Sequence, residues 1–398
     1  MLKTIPIEEL TPGMFVTQVV EQKGRLKMRS RGLVKTQATI DTLRSKGILT
    51  LEVDLSRSKT TYSPQNNDVE KAAAETEKRP QKPKKSESEA LSDANDLYLQ
   101  AVNIQGDFIN RVKQGQPADI SPLVGLSHQV IDSVFDNPNA LSCLTLIKNA
   151  DQYLLEHSLN CSILMAMFAN SLGYDKAQVE ELGLAGLLMD VGMATIPDDI
   201  IKARGKLSKA DWELIKTHVD TGVELLEQTD DISDIVLDVV QNHHERVDGS
   251  GYPSGKSGEE ISTFARMAAI VDCYDAMTST RHHQESMSAT AALKKLLKDP
   301  QLDKELVQAF IKCIGVHPVG SLVRLKSDKL AIVSQANKNN PLKPVVMVFY
   351  SVRSQTHRQI TRLDLAKVDD DIVAAVRPEE FKLNLNKFFR DVFLNAMP

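Results

Sequence analysis

Apolar residues recur along most of this chain with a helical period. Ile232, Ile235, Val236, Val239, Val240 and His243 follow an i, i+3, i+4, i+7, i+8, i+11 spacing. This predicts an amphipathic helix whose core-facing stripe His243 continues, with His244 about 100° further round. Other stretches repeat the pattern, each with a polar residue turned inward. Tyr153–Tyr174 puts His157 on a face with Cys161, Leu164 and Phe168. Asp211–Gln228 puts His218 on the stripe of Leu214, Ile215 and Leu225, and Ser262–Ser279 brings Asp272 after Ala265, Ala268 and Ala269. Asp190 closes the apolar run Leu182–Met189. Buried imidazoles and carboxylates need partners, and a metal ion satisfies several at once.

Outside these helices the pattern changes twice. Residues 1–56 read as a small α/β domain, with strands at Met14–Val20 and Ile48–Val53 and a helix at Thr36–Lys46 between a threonine cap and Gly47. Residues 57–92 are rich in Lys, Glu, Ser, Gln and Pro with almost no large apolar groups, the composition of a disordered linker. Helical periodicity resumes near Asp93 and lasts to about residue 315. Beyond it, His317–Leu325, Leu330–Val333 and Val345–Tyr350 predict short strands in a C-terminal extension, 316–398. The extension ends in an amphipathic helix over Asp369–Asn395, through Ile372, Val373, Val376, Phe388, Phe389, Val392 and Phe393.

The densest chemistry lies in the run from His243 to Pro253, His-His-Glu-Arg-Val-Asp-Gly-Ser-Gly-Tyr-Pro. An imidazole pair at a helix end beside a Gly-rich turn suits a metal site with a shaped loop next to it. Taken alone, it reads equally as a surface pair capped by an Asp-Gly turn. The order His157, Met189-Asp190, His218, His243-His244, Asp272, with Asp-Gly-Ser-Gly-Tyr-Pro after the pair, resembles the HD-GYP family of metal-dependent cyclic di-GMP phosphodiesterases. The resemblance covers roughly residues 150–285 within a helical domain at 93–315.

The resemblance implies an all-helical HD-type phosphohydrolase domain, which with the small α/β N-terminal domain and the short β-containing C-terminal extension read from the residues makes a mainly α protein. It implies two divalent transition-metal ions, iron or manganese. One site would take His157, Asp190 and Asp272; the other, His218, His243 and His244, with Asp190 as the catalytic carboxylate bridging both. Gly251, Tyr252 and Pro253 would flank the substrate, and Arg281 would hold a phosphate. The expected reaction is hydrolysis of cyclic di-GMP to linear pGpG or GMP.

The departures from the family pattern concern the same site. Met189 stands where the family has its name-giving histidine, and Met193 where it has a lysine. A thioether is a weak, soft donor beside hard ligands, so one metal site loses its fourth ligand and the phosphate loses a cation. Tyr153 stands where family members with a third metal carry Glu, which argues against a third ion. His282 follows Arg281 where Pro is usual, and Gln284 replaces a basic residue. The other class of function is therefore a non-catalytic regulator that binds cyclic di-GMP or a protein partner.

Composition narrows the setting. A net charge of −5 gives no bulk attraction to DNA or anionic membranes. The N-terminal residues have charges and Pro6 where a signal peptide has an apolar core, and no apolar run reaches membrane-spanning length, which predicts a cytoplasmic protein. Four cysteines show no CxxC spacing, and Cys161 and Cys273, on helices beside apolar residues, read as buried thiols. The basic run Lys23, Arg25, Lys27, Arg29, Arg31, Lys35 reads as the solvated face of a hairpin, His282-His283 as exposed, and Trp212 as a packing residue. Asp275, one turn past Asp272, reads as a group that orients a ligand. Residues 1–56 or the C-terminal segment offer surfaces for a protein partner.

Overall fold

The structure, a computed structural model, describes residues 2–22, 32–34, 39–40, 43–44, 48–54, 87–116, 119–137, 139, 145, 153–201, 203, 205, 207–229, 232–279, 286–337, 339–381 and 383. The chain divides into two compact units, Met1–Lys82 and Pro83–Pro398.

In the first unit, β1 (Leu2–Pro6), β2 (Phe15–Gln22), β3 (Gly32–Leu33) and β4 (Ile48–Asp54) form an antiparallel sheet of order β1-β4-β2-β3. In β4, Ile48, Leu51 and Val53 are buried. With Ile5, Ile7, Met14 and Val16 they form the unit's apolar core. The edge strand β1 is too short, and too broken by Lys3 and Pro6, to show in the sequence pattern; proline is tolerated at such an edge. The basic run at Lys23–Lys35 and most of the expected helix Thr36–Lys46 lie outside the described residues.

The second unit is mainly helical, as the sequence predicts. Its helices are α1 (Glu87–Lys113), α2 (Ser121–Asp136), α3 (Tyr153–Ser171), α4 (Lys176–Leu188), α5 (Asp198–Ile201) and α6 (Lys209–Lys216). They are followed by α7 (His218–Glu227), α8 (Asp234–Asn242), α9 (Thr263–Thr278), α10 (Ala289–Leu296) and α11 (Lys304–Ile314). Helix α1 begins inside the stretch read from sequence as linker. Side-chain oxygens of Asp175, Ser208, Ser233, Ser262, Ser288 and Asp303 accept backbone N–H bonds at six helix starts. The single helix expected over Asp211–Gln228 is two. At Thr217 the backbone N–H bonds to Leu214 and the hydroxyl donates to the same carbonyl, 2.7 Å away. That tight turn ends α6 and puts His218 at the start of α7.

Two helices set the centre. In α3, residues 156–166 are buried without a break, and α9 buries Asp272 and Asp275 among Ala268, Ala269, Val271 and Tyr274. Helices buried on every side leave no solvated face for their polar residues. The polar groups on α3 and α9 must therefore satisfy one another.

After α11, β5 (Leu322–Leu325), β6 (Lys329–Gln335), β7 (Val345–Ser351), β8 (Thr356–Asp364) and β9 (Ile372–Ala375) form an antiparallel sheet of order β8-β7-β6-β5-β9. Its buried residues continue the apolar core of the helices. The first expected strand starts only at Leu322. Strand β8 is polar and exposed, which hid it from the hydrophobic pattern and suits an edge. The amphipathic helix expected over Asp369–Asn395 is corrected at its start: Ile372–Ala375 pairs with β5, as β-branched Ile and Val favour. A 3-10 turn, Pro378–Phe381, follows, and Phe388, Phe389, Val392 and Phe393 lie outside the described residues. Among the described residues, no helix is long and apolar enough to cross a membrane.

Asp303 joins two elements of this unit. Its Oδ1 caps α11 through the N–H groups of Glu305 and Leu306, and its Oδ2 accepts from Arg266 of α9 at 2.7 Å. Asp303→Ala removes a cap and a half-buried ion pair together, and is expected to cost about 2 kcal/mol. The urea midpoint of the helical unit measures it, and an unchanged midpoint contradicts the linkage.

Candidate metal centre

The polar residues that the sequence turned inward converge. One atom each from Asp190, His218, His243 and His244 lies within 4.8 Å of the others. Asp190 follows α4 and begins the 3-10 turn Val191–Thr195; His218 opens α7; His243 caps the end of α8 and His244 follows it. Three helix termini therefore deliver ligands to one point.

The imidazole tautomers follow from the second ring nitrogen. His218 Nδ1 donates to the Ile215 carbonyl at 2.6 Å, and His243 Nδ1 to the Val240 carbonyl at 2.9 Å. In the neutral rings both Nε2 atoms then carry lone pairs. They face each other at 3.4 Å, with Asp190 Oδ1 3.3 Å from one and 3.6 Å from the other. Three acceptors meeting in a buried site repel unless a cation lies among them. A nitrogen-rich set completed by one carboxylate suits a divalent transition metal, so the residues present fit such an ion.

On the far side of Asp190, its Oδ2 lies 3.1 Å from His157 Nε2, which is also 3.2 Å from Asp272 Oδ1. Asp272 Oδ2 in turn stands 3.7 Å from His244 Nδ1. The six expected ligands thus form one connected cluster, with Asp190 touching both halves. Burial opposes charge on Asp190 and Asp272. The imidazole rings of His157, His218 and His243 around Asp190 outweigh burial and hold it well below the usual carboxylate range. Asp272 is lowered too, chiefly by His157. Burial, reinforced by His243, pushes His244 well below the ordinary imidazole range, which keeps its nitrogen free to ligate.

A second layer fixes these groups. His157 Nδ1 lies 2.8 Å from Asp275 Oδ2, the orienting contact expected of Asp275. Asp275 also accepts from Asn160 Nδ2 at 3.0 Å and from the Ser279 hydroxyl at 3.1 Å. Asn160 was missed in the sequence, although it lies one turn from His157 on α3. Cys161 Sγ packs 3.8 Å from the same ring. Burial pushes its thiol up to about 12, so it stays protonated. Cys161 and Cys313 are free thiols, Cys273 Sγ accepts from the Arg246 guanidinium, and Cys143 lies outside the described residues.

The Gly-Tyr-Pro loop closes one wall. The Tyr252 ring stacks on His244 with centroids 4.6 Å apart, and its N–H donates to the His244 carbonyl. A Cβ on Gly251 would stand 2.4 Å from the Arg246 nitrogen, so only glycine fits there. Buried Glu245, another residue missed in the sequence, accepts from the Ser254 and Lys256 N–H groups at 2.8 and 3.0 Å and ties the loop back to the metal cluster. Pro253 is exposed.

Met189 is fully buried within the apolar core, and Met193 is half-buried in the 3-10 turn. Arg281, His282, His283 and Gln284 lie outside the described residues. Trp212, expected as a packing residue, has half of its surface exposed.

Comparison with known proteins gives two family matches. The HD domain profile matches residues 142–306, and a domain of unknown function (DUF3391) matches residues 2–123. Cyclic di-GMP phosphodiesterase PA4108 of Pseudomonas aeruginosa is 34% identical over 381 residues, 94% of this chain and 92% of that protein. The cyclic di-GMP phosphodiesterase response regulator RpfG of Xanthomonas campestris pv. campestris is 36% identical over 131 residues, 33% of this chain and 35% of that one. The solved structure of Bd1817, a protein of Bdellovibrio bacteriovorus described as HDG"Y"P, aligns with 78% of this chain and 98% of its own at 16% identity and a TM-score of 0.47.

Gly192 is the tightest backbone contact beside the cluster. A Cβ there would fall 2.0 Å from the His218 carbonyl oxygen and 2.7 Å from the Gly222 nitrogen. Gly192→Ala must push the Asp190 turn away from α7. We expect a loss of about 1–3 kcal/mol in stability, together with reduced metal content by elemental analysis. Retention of both in the variant refutes the close approach.

Proposed function

Because this chain belongs to the HD-GYP family of cyclic di-GMP phosphodiesterases, we propose that it hydrolyses a phosphodiester of cyclic di-GMP, with iron or manganese held by the cluster around Asp190. The observation that carries the reading is the meeting of two imidazole Nε2 atoms, in rings whose Nδ1 faces a main-chain carbonyl, with a carboxylate oxygen at one buried point. In this reading Asp190, His218, His243 and His244 hold one ion, and His157, Asp190 and Asp272 hold the other. Bound there, divalent ions would supply an activated water at neutral pH and neutralise charge on the phosphoryl oxygens.

The chain's own residues do the positioning. Asp190 presents one carboxylate oxygen to each half of the cluster, and so couples the two sites. Asp275 and Asn160 fix the His157 ring. Tyr252 stands beside His244 as a flat wall for the substrate, with Gly251 letting the backbone approach. Arg281 serves as a phosphate-binding cation. The product is the linear dinucleotide or GMP.

A second reading, a regulator that binds the nucleotide without turning it over, draws on Met189 and Met193. Both are thioethers at positions where a histidine and a lysine are expected by resemblance. Metal analysis with turnover under anaerobic Fe(II) or Mn(II) separates the readings. We expect about two ions per chain and metal-dependent hydrolysis. Asp190→Ala should remove both together. Tight nucleotide binding without turnover under every metal tried would replace the enzyme by the regulator.

Met189→His tests the weaker half of the cluster. Imidazole in place of a thioether should raise metal content and turnover, by about one decade if a full ligand interaction is recovered. No change in either quantity, in a variant that still folds, places the side chain off the metal.

A further inference from the structure

Resting on the cyclic di-GMP reading, we propose that α6 carries a substrate-recognition site: Trp212 stacks on a guanine base and Lys216 binds the adjoining phosphate, beside Tyr252. Lys216 Nζ lies 5.6 Å from the centroid of the Tyr252 ring. Tyr252 in turn stacks on His244, one of the four clustered ligands. The ammonium therefore stands one aromatic ring away from the metal cluster.

Chain connectivity holds Lys216 there. It lies two residues before His218, across the tight Thr217 turn, and His218 is locked against Gly192 of the Asp190 turn. Met193, next to Gly192, brings no charge. Of the described cations around the loop, Arg246 donates to the His243 and Glu245 carbonyls, and Lys256 donates to Asn242 Oδ1 at 2.8 Å. Among the described residues Lys216 forms an ion pair with Glu213 alone, 2.9 Å away, with 38% and 60% of the two side chains exposed. An exposed pair of that kind contributes little, and a phosphate can displace the carboxylate.

Trp212 lies four residues before Lys216 and so on the same face of α6. It is 50% exposed, unusual for the largest apolar side chain. An exposed indole one turn from a cation matches a nucleotide, which presents a flat base and a phosphate at comparable separation. Trp212 is the only tryptophan of the chain, so its fluorescence reports this face alone.

The test uses the full-length, metal-loaded protein titrated with cyclic di-GMP, followed by tryptophan fluorescence and by calorimetry. Binding should quench the fluorescence. Lys216→Met should raise Kd and KM about ten-fold or more, with metal content unchanged and kcat altered much less, and Lys216→Arg should restore most of the loss. Trp212→Ala should weaken binding on the order of ten-fold, and Trp212→Phe less. Calorimetric binding with no quenching, or wild-type Kd and KM in both Lys216→Met and Trp212→Ala, overturns the site while leaving the proposed function standing. Absence of both binding and turnover in the parent protein overturns the function itself, and this site with it.

Discussion

The helical unit is organised around a cluster of acceptors that the polypeptide cannot satisfy by itself. His218 and His243 each commit Nδ1 to a main-chain carbonyl, so their remaining nitrogens confront each other and Asp190. In an interior of low polarizability such a meeting of lone pairs is repulsive. The surrounding architecture is the device that enforces it: three helix termini end at the same point, and Gly192 lets two of them touch backbone to backbone. Metal affinity here is built from geometry held against electrostatic resistance, which links folding of the unit to occupancy of the site.

Much of this was legible in the residues. The helical period of Ile232–His243 and the inward placement of His157, His218 and Asp272 are consequences of the 3.6-residue repeat, and the structure brings these side chains together. What stayed hidden has physical causes. The break at Thr217 arises from one turn of tight hydrogen bonding that leaves the apolar stripe intact. Strand β8 has no apolar signal because it is an exposed edge, and Ile372–Ala375 is too short for its period to be told from a helix start. Glu245 and Asn160 act through hydrogen bonds across many residues, contacts that local spacing does not encode.

The sequence families and the compact units divide the chain differently. The match to the domain of unknown function runs through residue 123, yet the first compact unit ends at Lys82. The intervening helix α1 packs within the helical unit, where Ala94, Ala101 and Val102 join its apolar core and Lys113 pairs with Asp198 of α5. A segment assigned by sequence to the N-terminal family thus serves as a structural part of the catalytic-type domain. Removing it with the N-terminal sheet would expose apolar surface belonging to the helical unit.

The buried carboxylate of Glu245 has a consequence for molecular recognition. By holding two main-chain N–H groups of the loop after Tyr252, it fixes the loop's shape before any ligand arrives. Ordering a flexible loop on association consumes conformational entropy, and a wall already set in place avoids that cost. The Tyr252 side of the site therefore behaves as a preformed template, and more of the contact energy formed against it is available for selecting among ligands of different shape.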